Sequence, residues 1–224
     1  MKVTNLQNKE IDLAADLQTR GCAVCNHVIK TSRDFFAQWQ YALASDEKAQ
    51  ASFAEELGFC PIHSWQLHSM SSPWGESIGL APLTKHLSDM LAKAAGSSDA
   101  ASNVQNIVRT SESCRVCRML GESEGVYIER LRDFLIDSGK RQVYGVSQGV
   151  CLRHLSRLVE TASDEIRRFL LATASRRFEQ LEKDMKSYAN KREAIRRDLI
   201  GTDEEDAYMR ALIHFVGAKD YSTP

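Results

Sequence analysis

The sequence predicts an all-α protein: a helical bundle of two pseudo-repeats, each organised around a Cys3His metal site. Three observations lead there. The chain has only four prolines, Pro61, Pro73, Pro82 and Pro224, and no alternating β-branched run, so nothing reads as a strand. Apolar residues recur at three- and four-residue steps along most of its length. All six cysteines fall, with two histidines, into one spacing scheme: Cys22-x-x-Cys25 and Cys60-x-x-His63, then Cys114-x-x-Cys117 and Cys151-x-x-His154.

The two sets superpose along the chain. The offset is 92 from Cys22 to Cys114 and 91 from Cys60 to Cys151, and other residues keep it. Val24 matches Val116, Leu43 matches Leu135, Asp46 matches Asp137, Gly58 matches Gly149 and Leu67 matches Leu158. One residue lost near Ala44 and Ser45 accounts for the change of register. We read this as a duplicated supersecondary unit, with residues 1–98 as the first repeat and 99–224 as the second.

Each repeat predicts the same elements. Val28, Ile29, Phe35, Phe36, Trp39, Ala42 and Leu43 have helical spacing, and Asp46 is placed to cap a second helix through Ala49, Phe53 and Leu57. The second repeat follows with Val126, Tyr127, Leu131, Phe134 and Leu135, then a shorter turn from Asp137. Gly58 and Gly149 stand where a helix stops in a left-handed residue. Cys60 precedes Pro61, which makes Cys60 extended and Pro61 the first helical residue, with His63 one turn inside. Residues three apart share a helix face, so Cys60 and His63 can reach one ion, as can Cys151 and His154.

The remaining segments are expected as follows. Ser71 to Gly79 reads as a loop on which Trp74 packs back, and Ala94 to Ser102 as a Gly/Ser/Ala linker. A long helical stretch follows His154 to about Leu199. Gly201 then stops the chain before a capping box and a last helix from about Asp203 to Val216.

Three thiolates and an imidazole complete a four-coordinate shell, the donor set Zn²⁺ prefers. A [4Fe–4S] cluster with one histidine ligand is the alternative, and zinc is the commoner occupant. The eight ligands are Cys22, Cys25, Cys60, His63, Cys114, Cys117, Cys151 and His154. Spacing alone leaves open whether each site draws on its own repeat or on the CxxC of one and the CxxH of the other. His27 and His68 lie near enough in sequence to serve as supporting groups or a substitute ligand, although an ordinary polar histidine is the plainer account. His86 and His214 show no partner pattern.

The segments Cys22-Ala-Val-Cys25, Gly58-Phe-Cys60-Pro-Ile-His63, Cys114-Arg-Val-Cys117 and Gly149-Val-Cys151-Leu-Arg-His154 resemble an uncharacterised prokaryotic domain-of-unknown-function family with duplicated CxxC and G(F/V)CxxH units. The resemblance covers residues 20 to 215 and implies a helical protein with two metal-type sites. Members often carry proline inside the CxxC, where this chain has Ala23 and Arg115. The family has no assigned activity and supplies none here.

Other signals carry less. Gly121-Glu122-Ser123-Glu124-Gly125 matches a hydrolase string, but it lies in a helical stretch instead of a strand-to-helix turn. The CxxC pairs lack the βαβ context of a thioredoxin-type redox site. The net charge of −1 and a pI near 6.6 argue against an overall polyanion binder. From Arg153 to Arg197 twelve Lys/Arg face seven acids, a net of +5. The plainer account is a solvated face laced with pairs such as Arg157–Glu160 and Asp164–Arg168, ahead of a nucleic-acid surface. A mean hydropathy of −0.36 with no long apolar run or leader-like start predicts a cytoplasmic protein that meets no membrane. Two function classes follow. One is structural zinc in an interaction or regulatory module. The other is a pair of [4Fe–4S] clusters for electron transfer or redox sensing. Either implies a protein partner.

Overall fold

A computed structural model describes residues 11–193 and 199–218. Every regular element in it is helical. The chain forms α1 (Leu13–Gln18), α2 (Ala23–Ser45), α3 (Glu47–Glu55), α4 (Pro61–Met70), α5 (Pro73–Ala95), α6 (Ala100–Ile107), α7 (Arg115–Phe134), α8 (Ser138–Val146), α9 (Leu152–Thr161), α10 (Asp164–Glu193), α11 (Thr202–Glu205) and α12 (Ala207–Val216). The order α2 to α5 recurs as α7 to α10, with a CxxC opening the first helix and a CxxH the third.

The compact units are not consecutive stretches of chain. One holds Lys30–Ser123; the other joins residues 11–29 with residues 124–218. The division into 1–98 and 99–224 therefore follows the sequence repeat, whereas the packing follows a different cut. That cut falls inside α2 and inside α7, so each of these helices begins in one unit and ends in the other.

The first unit packs around aromatic rings. Phe35, Phe36, Phe53 and Phe59 are buried with Leu43 and Leu67. The Phe53 and Phe59 ring centres lie 4.9 Å apart at 69°, the edge-to-face arrangement that ring quadrupoles favour. Asp46 caps α3 by accepting from the Lys48 N–H. Gly58 ends the turn after α3 at φ 75, a conformation in which a side chain is strained. The segment 71–79 is not a loop: Ser72 accepts from Gly75 N and Pro73 takes the first helical position, so α5 starts there. Trp74 does not pack back; it is 70% exposed. The expected linker after Ala94 is a short turn, since α6 begins at Ala100.

The second unit buries Leu17, Tyr127, Leu131, Leu135, Tyr144, Leu155, Leu158, Ile166 and Leu170 in one cluster. The Tyr127 hydroxyl, carried into that core, donates to Asp16 at 3.0 Å. Asp137 accepts from Lys140 N and opens α8, a nine-residue helix where the sequence reading expected a short turn. Among the described residues the stretch after His154 breaks at the extended Ala162 (ψ 150), before α10. The last expected helix is also split, into α11 and α12. The capping expectation holds in its carboxylate half: Glu204 accepts from Gly201 N at 2.9 Å. Arg210 on α12 pairs with Asp184 on α10 at 3.3 Å and with Asp206 at 3.0 Å.

The expected surface pairs on the basic stretch are replaced by others. Arg157 reaches Glu124 at 2.6 Å, and Asp164 pairs with Arg167 at 2.9 Å. Arg177 donates to the Ser147 carbonyl, and Lys191 meets Glu204. Arg196, Arg197 and the Arg192 side chain lie outside the described residues. No helix among the described residues is long and apolar enough to cross a membrane.

Candidate metal centres

The four cysteine-bearing segments each sit at a helix N-terminus. Cys60 is the extended N-cap of α4 (φ −65, ψ 164) with Pro61 behind it, and Cys151 is the N-cap of α9 (φ −72, ψ 167). Cys22 and Cys114 immediately precede α2 and α7, with Cys25 and Cys117 in the first turn. Free backbone N–H groups and the helix dipole favour negative sulfur at all four places. The approach to Cys151 is fixed by Gly149 at φ 72: a Cβ there would stand 2.1 Å from the Arg177 guanidinium, which spans the Ser147 and Tyr144 carbonyls.

These termini converge in two groups. Cys60, His63, Cys114 and Cys117 lie in the first unit; Cys22, Cys25, Cys151 and His154 lie in the second. Within each, one donor atom per residue falls within 4.8 Å of the others, and all eight side chains are buried. The CxxC of one repeat thus meets the CxxH of the other, which settles the pairing that spacing left open. Helix α2 gives the reason: its 23 residues begin in the unit that holds Cys25 and end in the one that holds Cys60.

Both histidines present Nδ1. His63 Nδ1 stands 3.2 Å from Cys60 Sγ, 3.6 Å from Cys114 Sγ and 3.3 Å from Cys117 Sγ. His154 Nδ1 stands 3.3 Å from Cys22 Sγ, 3.6 Å from Cys25 Sγ and 3.1 Å from Cys151 Sγ. The closest sulfur pairs given by the structure are Cys60–Cys117 at 3.7 Å and Cys25–Cys151 at 3.9 Å.

Such crowding cannot ionise three thiols without a cation. Burial pushes the Cys22 thiol well up, and hydrogen bonds to Cys151 and Cys25 add to it. Hydrogen bonds from Cys22 and Cys25 push Cys151 down. In the other group burial opposes ionisation of Cys114, yet His63 and backbone N–H groups draw it down to about 6. Burial and the Cys114 charge raise Cys117. Burial likewise works against a charged His154, but Cys151, Cys25 and Glu124 outweigh it and lift its pKa to about 10. A divalent cation supplies the charge that these protons otherwise provide, so the donor set fits a metal ion.

A scan against protein-family models finds no match, and searches of curated proteins and of solved structures find none either.

Three groups around the second centre escaped the sequence reading. Glu124, buried on α7, accepts from His154 Nε2 at 2.9 Å and from Arg157 at 2.6 Å. It belongs to the string that resembled a hydrolase elbow, which here lies inside a helix. The one sequence signal was that Arg157 follows His154 by one turn. His214 on α12 is buried with Nδ1 3.3 Å from the Val150 carbonyl, beside Cys151. Burial keeps it below the ordinary imidazole value, so it is a neutral donor to that carbonyl. His27 and His68 join neither ligand group. His27 lies against the Tyr127 ring, 4.6 Å between centres, and His68 pairs with Glu76 at 2.8 Å.

Proposed function

We propose that this chain is a helical metalloprotein holding two zinc ions, each closed by three thiolates and one imidazole, and that it serves as an interaction module whose helices those ions pin together. The observation that carries the reading is the donor spacing. A tetrahedral ion with Zn–S of about 2.3 Å and Zn–N of about 2.0 Å sets S···S at about 3.8 Å and S···N at about 3.5 Å. The sulfur pairs at 3.7 and 3.9 Å and the sulfur–nitrogen separations of 3.1 to 3.6 Å support one ion per group. A [4Fe–4S] cube interposes an iron–iron edge between any two of its ligands and needs a wider cage.

Four protein ligands close the shell, so the metal has no position for substrate and its role is structural. The interaction role is supported by large apolar side chains left in water on the first unit: Ile62 and Trp65 on α4 and Trp74 on α5. Aromatic anchors of this kind are what protein interfaces use, and a protein is the proposed partner. Buried thiols in ligand groups, none of them in a disulfide among the described residues, suit a reducing cytoplasm. The proposed kinship with the uncharacterised prokaryotic family rests on the four motif segments that build the two groups.

Cobalt(II) titration of the metal-free chain tests the reading, because ligand geometry determines the visible spectrum of that ion. Two equivalents should bind with the intense bands of tetrahedral, thiolate-rich cobalt, and zinc should bleach both. A pale octahedral spectrum, or uptake of fewer than two equivalents, would count against it.

A further inference from the structure

Between α10, α12 and the loop that joins α8 to α9 lies a half-open cavity of about 90 Å³. Helical spacing builds two of its walls. Arg177, Gln180 and Leu181 fall at three- and four-residue steps on α10, and Arg210 and His214 stand four apart on α12, so each set shares a face. Ser147 and Gln148 of the loop close a third side. The lining thus carries two guanidiniums, an imidazole and two amides, and no carboxylate. All of these residues belong to the second unit.

The two cations are held from behind. Arg177 donates through Nε to the Ser147 carbonyl and through Nη2 to the Tyr144 carbonyl, and its guanidinium carbon lies 4.8 Å from the Tyr144 ring centre. It meets no carboxylate among the described residues, so only dipoles and a ring face oppose its charge. Arg210 is buried and fixed by Asp184 at 3.3 Å and Asp206 at 3.0 Å, while Arg20 shares Asp206 at 3.1 Å. Nη1 of each lining guanidinium has no hydrogen-bond partner among the described residues, nor has the Gln148 amide. His214 gives Nδ1–H to the Val150 carbonyl and adds no negative charge. Burial lowers its pKa, and the charges of Arg177 and Arg210 add to that effect.

A partly buried guanidinium without a counter-ion is costly, and a bound anion offsets that cost through charge-assisted hydrogen bonds. Size limits the ligand. Sites for drug-sized molecules begin at roughly 300 Å³, so this one takes a single small group. Its donors come from two helices and a loop, which the several oxygens of a tetrahedral oxyanion can meet together. A planar carboxylate, with two oxygens, meets fewer of them.

We infer that this cavity is a binding site for a phosphate group, with Arg177 and Arg210 supplying charge and Gln148 a further donor. The inference goes beyond the metal reading and does not need it.

Titration of the full chain with inorganic phosphate, followed in ¹H–¹⁵N spectra at constant ionic strength, tests this. Phosphate should move the amide signals of Ser147, Gln148, Gly149 and Val150 saturably, and acetate should bind at least about tenfold more weakly. Glycerol phosphate separates the two sources of the group: tighter binding than the free ion assigns a phosphate-bearing small molecule, and weaker binding assigns the ion itself. Gln148→Glu puts a carboxylate into the lining and breaks no side-chain bond among the described residues. It should weaken phosphate binding by at least about tenfold. Arg177→Gln should abolish binding, and Gln148→Glu carries the test if that variant fails to fold. The inference is overturned if no saturable shift occurs at the loop, if acetate binds as well as phosphate, or if folded Gln148→Glu keeps the wild-type affinity. Phosphate binding and metal content are read separately on the same sample, so either claim can fail alone.

Discussion

Replacing Cys22 and Cys60 together with serine removes both metal ions, whereas replacing Cys60 and Cys114 together removes one. The two cysteines of the first pair come from one sequence repeat but lie in different groups; those of the second come from different repeats and share a group. Ligands drawn from within each repeat would give the opposite result, with the first pair costing one ion and the second costing two. Bound zinc per folded chain, read by elemental analysis after gel filtration, separates the two arrangements. The effect is a whole equivalent in each case, and each single variant, Cys60→Ser or Cys151→Ser, should lose one.

The second large effect is on folding. Stripping both ions should unfold much of each unit, because the groups sit where helix ends meet. Structural zinc sites of this donor type supply on the order of 10 kcal/mol of binding free energy, and binding free energy is folding free energy when the unfolded chain has no site. Without metal, each unit must bury three crowded sulfurs and an imidazole, sharing protons as Cys151 and Cys22 do. Circular dichroism before and after chelation should show a large loss of helical signal, a lower thermal midpoint, and recovery on adding zinc. An apo protein that kept its helicity and its midpoint would show that the ions are not structural.

Much of this site was legible because its parts are local. Cys60 as an extended N-cap, Pro61 at the first helical position, the left-handed Gly58 and Gly149, and the Asp46 cap each depend on a few neighbouring residues. The pairing of the groups was not local. It depends on α2 running from one unit into the other, which motif spacing does not report. Glu124, Arg157 and His214 were missed for a related reason. Each acts on a ligand through a contact between helices, and a glutamate in a helix with arginines nearby in sequence has several equally good partners on its own surface. Arg157 has Glu160 three residues on, yet packing gives it the buried Glu124, where a counter-charge is needed more.

The breaks in helical structure show the same division. Pro73, Gly75 and Gly79 read as loop residues, but Ser72 caps the helix and Pro73 begins it, and the glycines then sit inside α5. In the other direction, an apolar stripe ran unbroken across Ala162 and Ser163, where the backbone turns extended. Periodicity reports the faces of helices and is blind to a two-residue interruption that keeps the register.

The central claim is one ion in each buried Cys3His group, and the most direct measurement is metal analysis with a visible spectrum on one anaerobically purified sample. The account predicts about two zinc ions per chain and a colourless protein. A brown sample with a broad band near about 400 nm and about eight irons per chain would contradict it in favour of two iron–sulfur clusters. A sample with neither metal would contradict it outright.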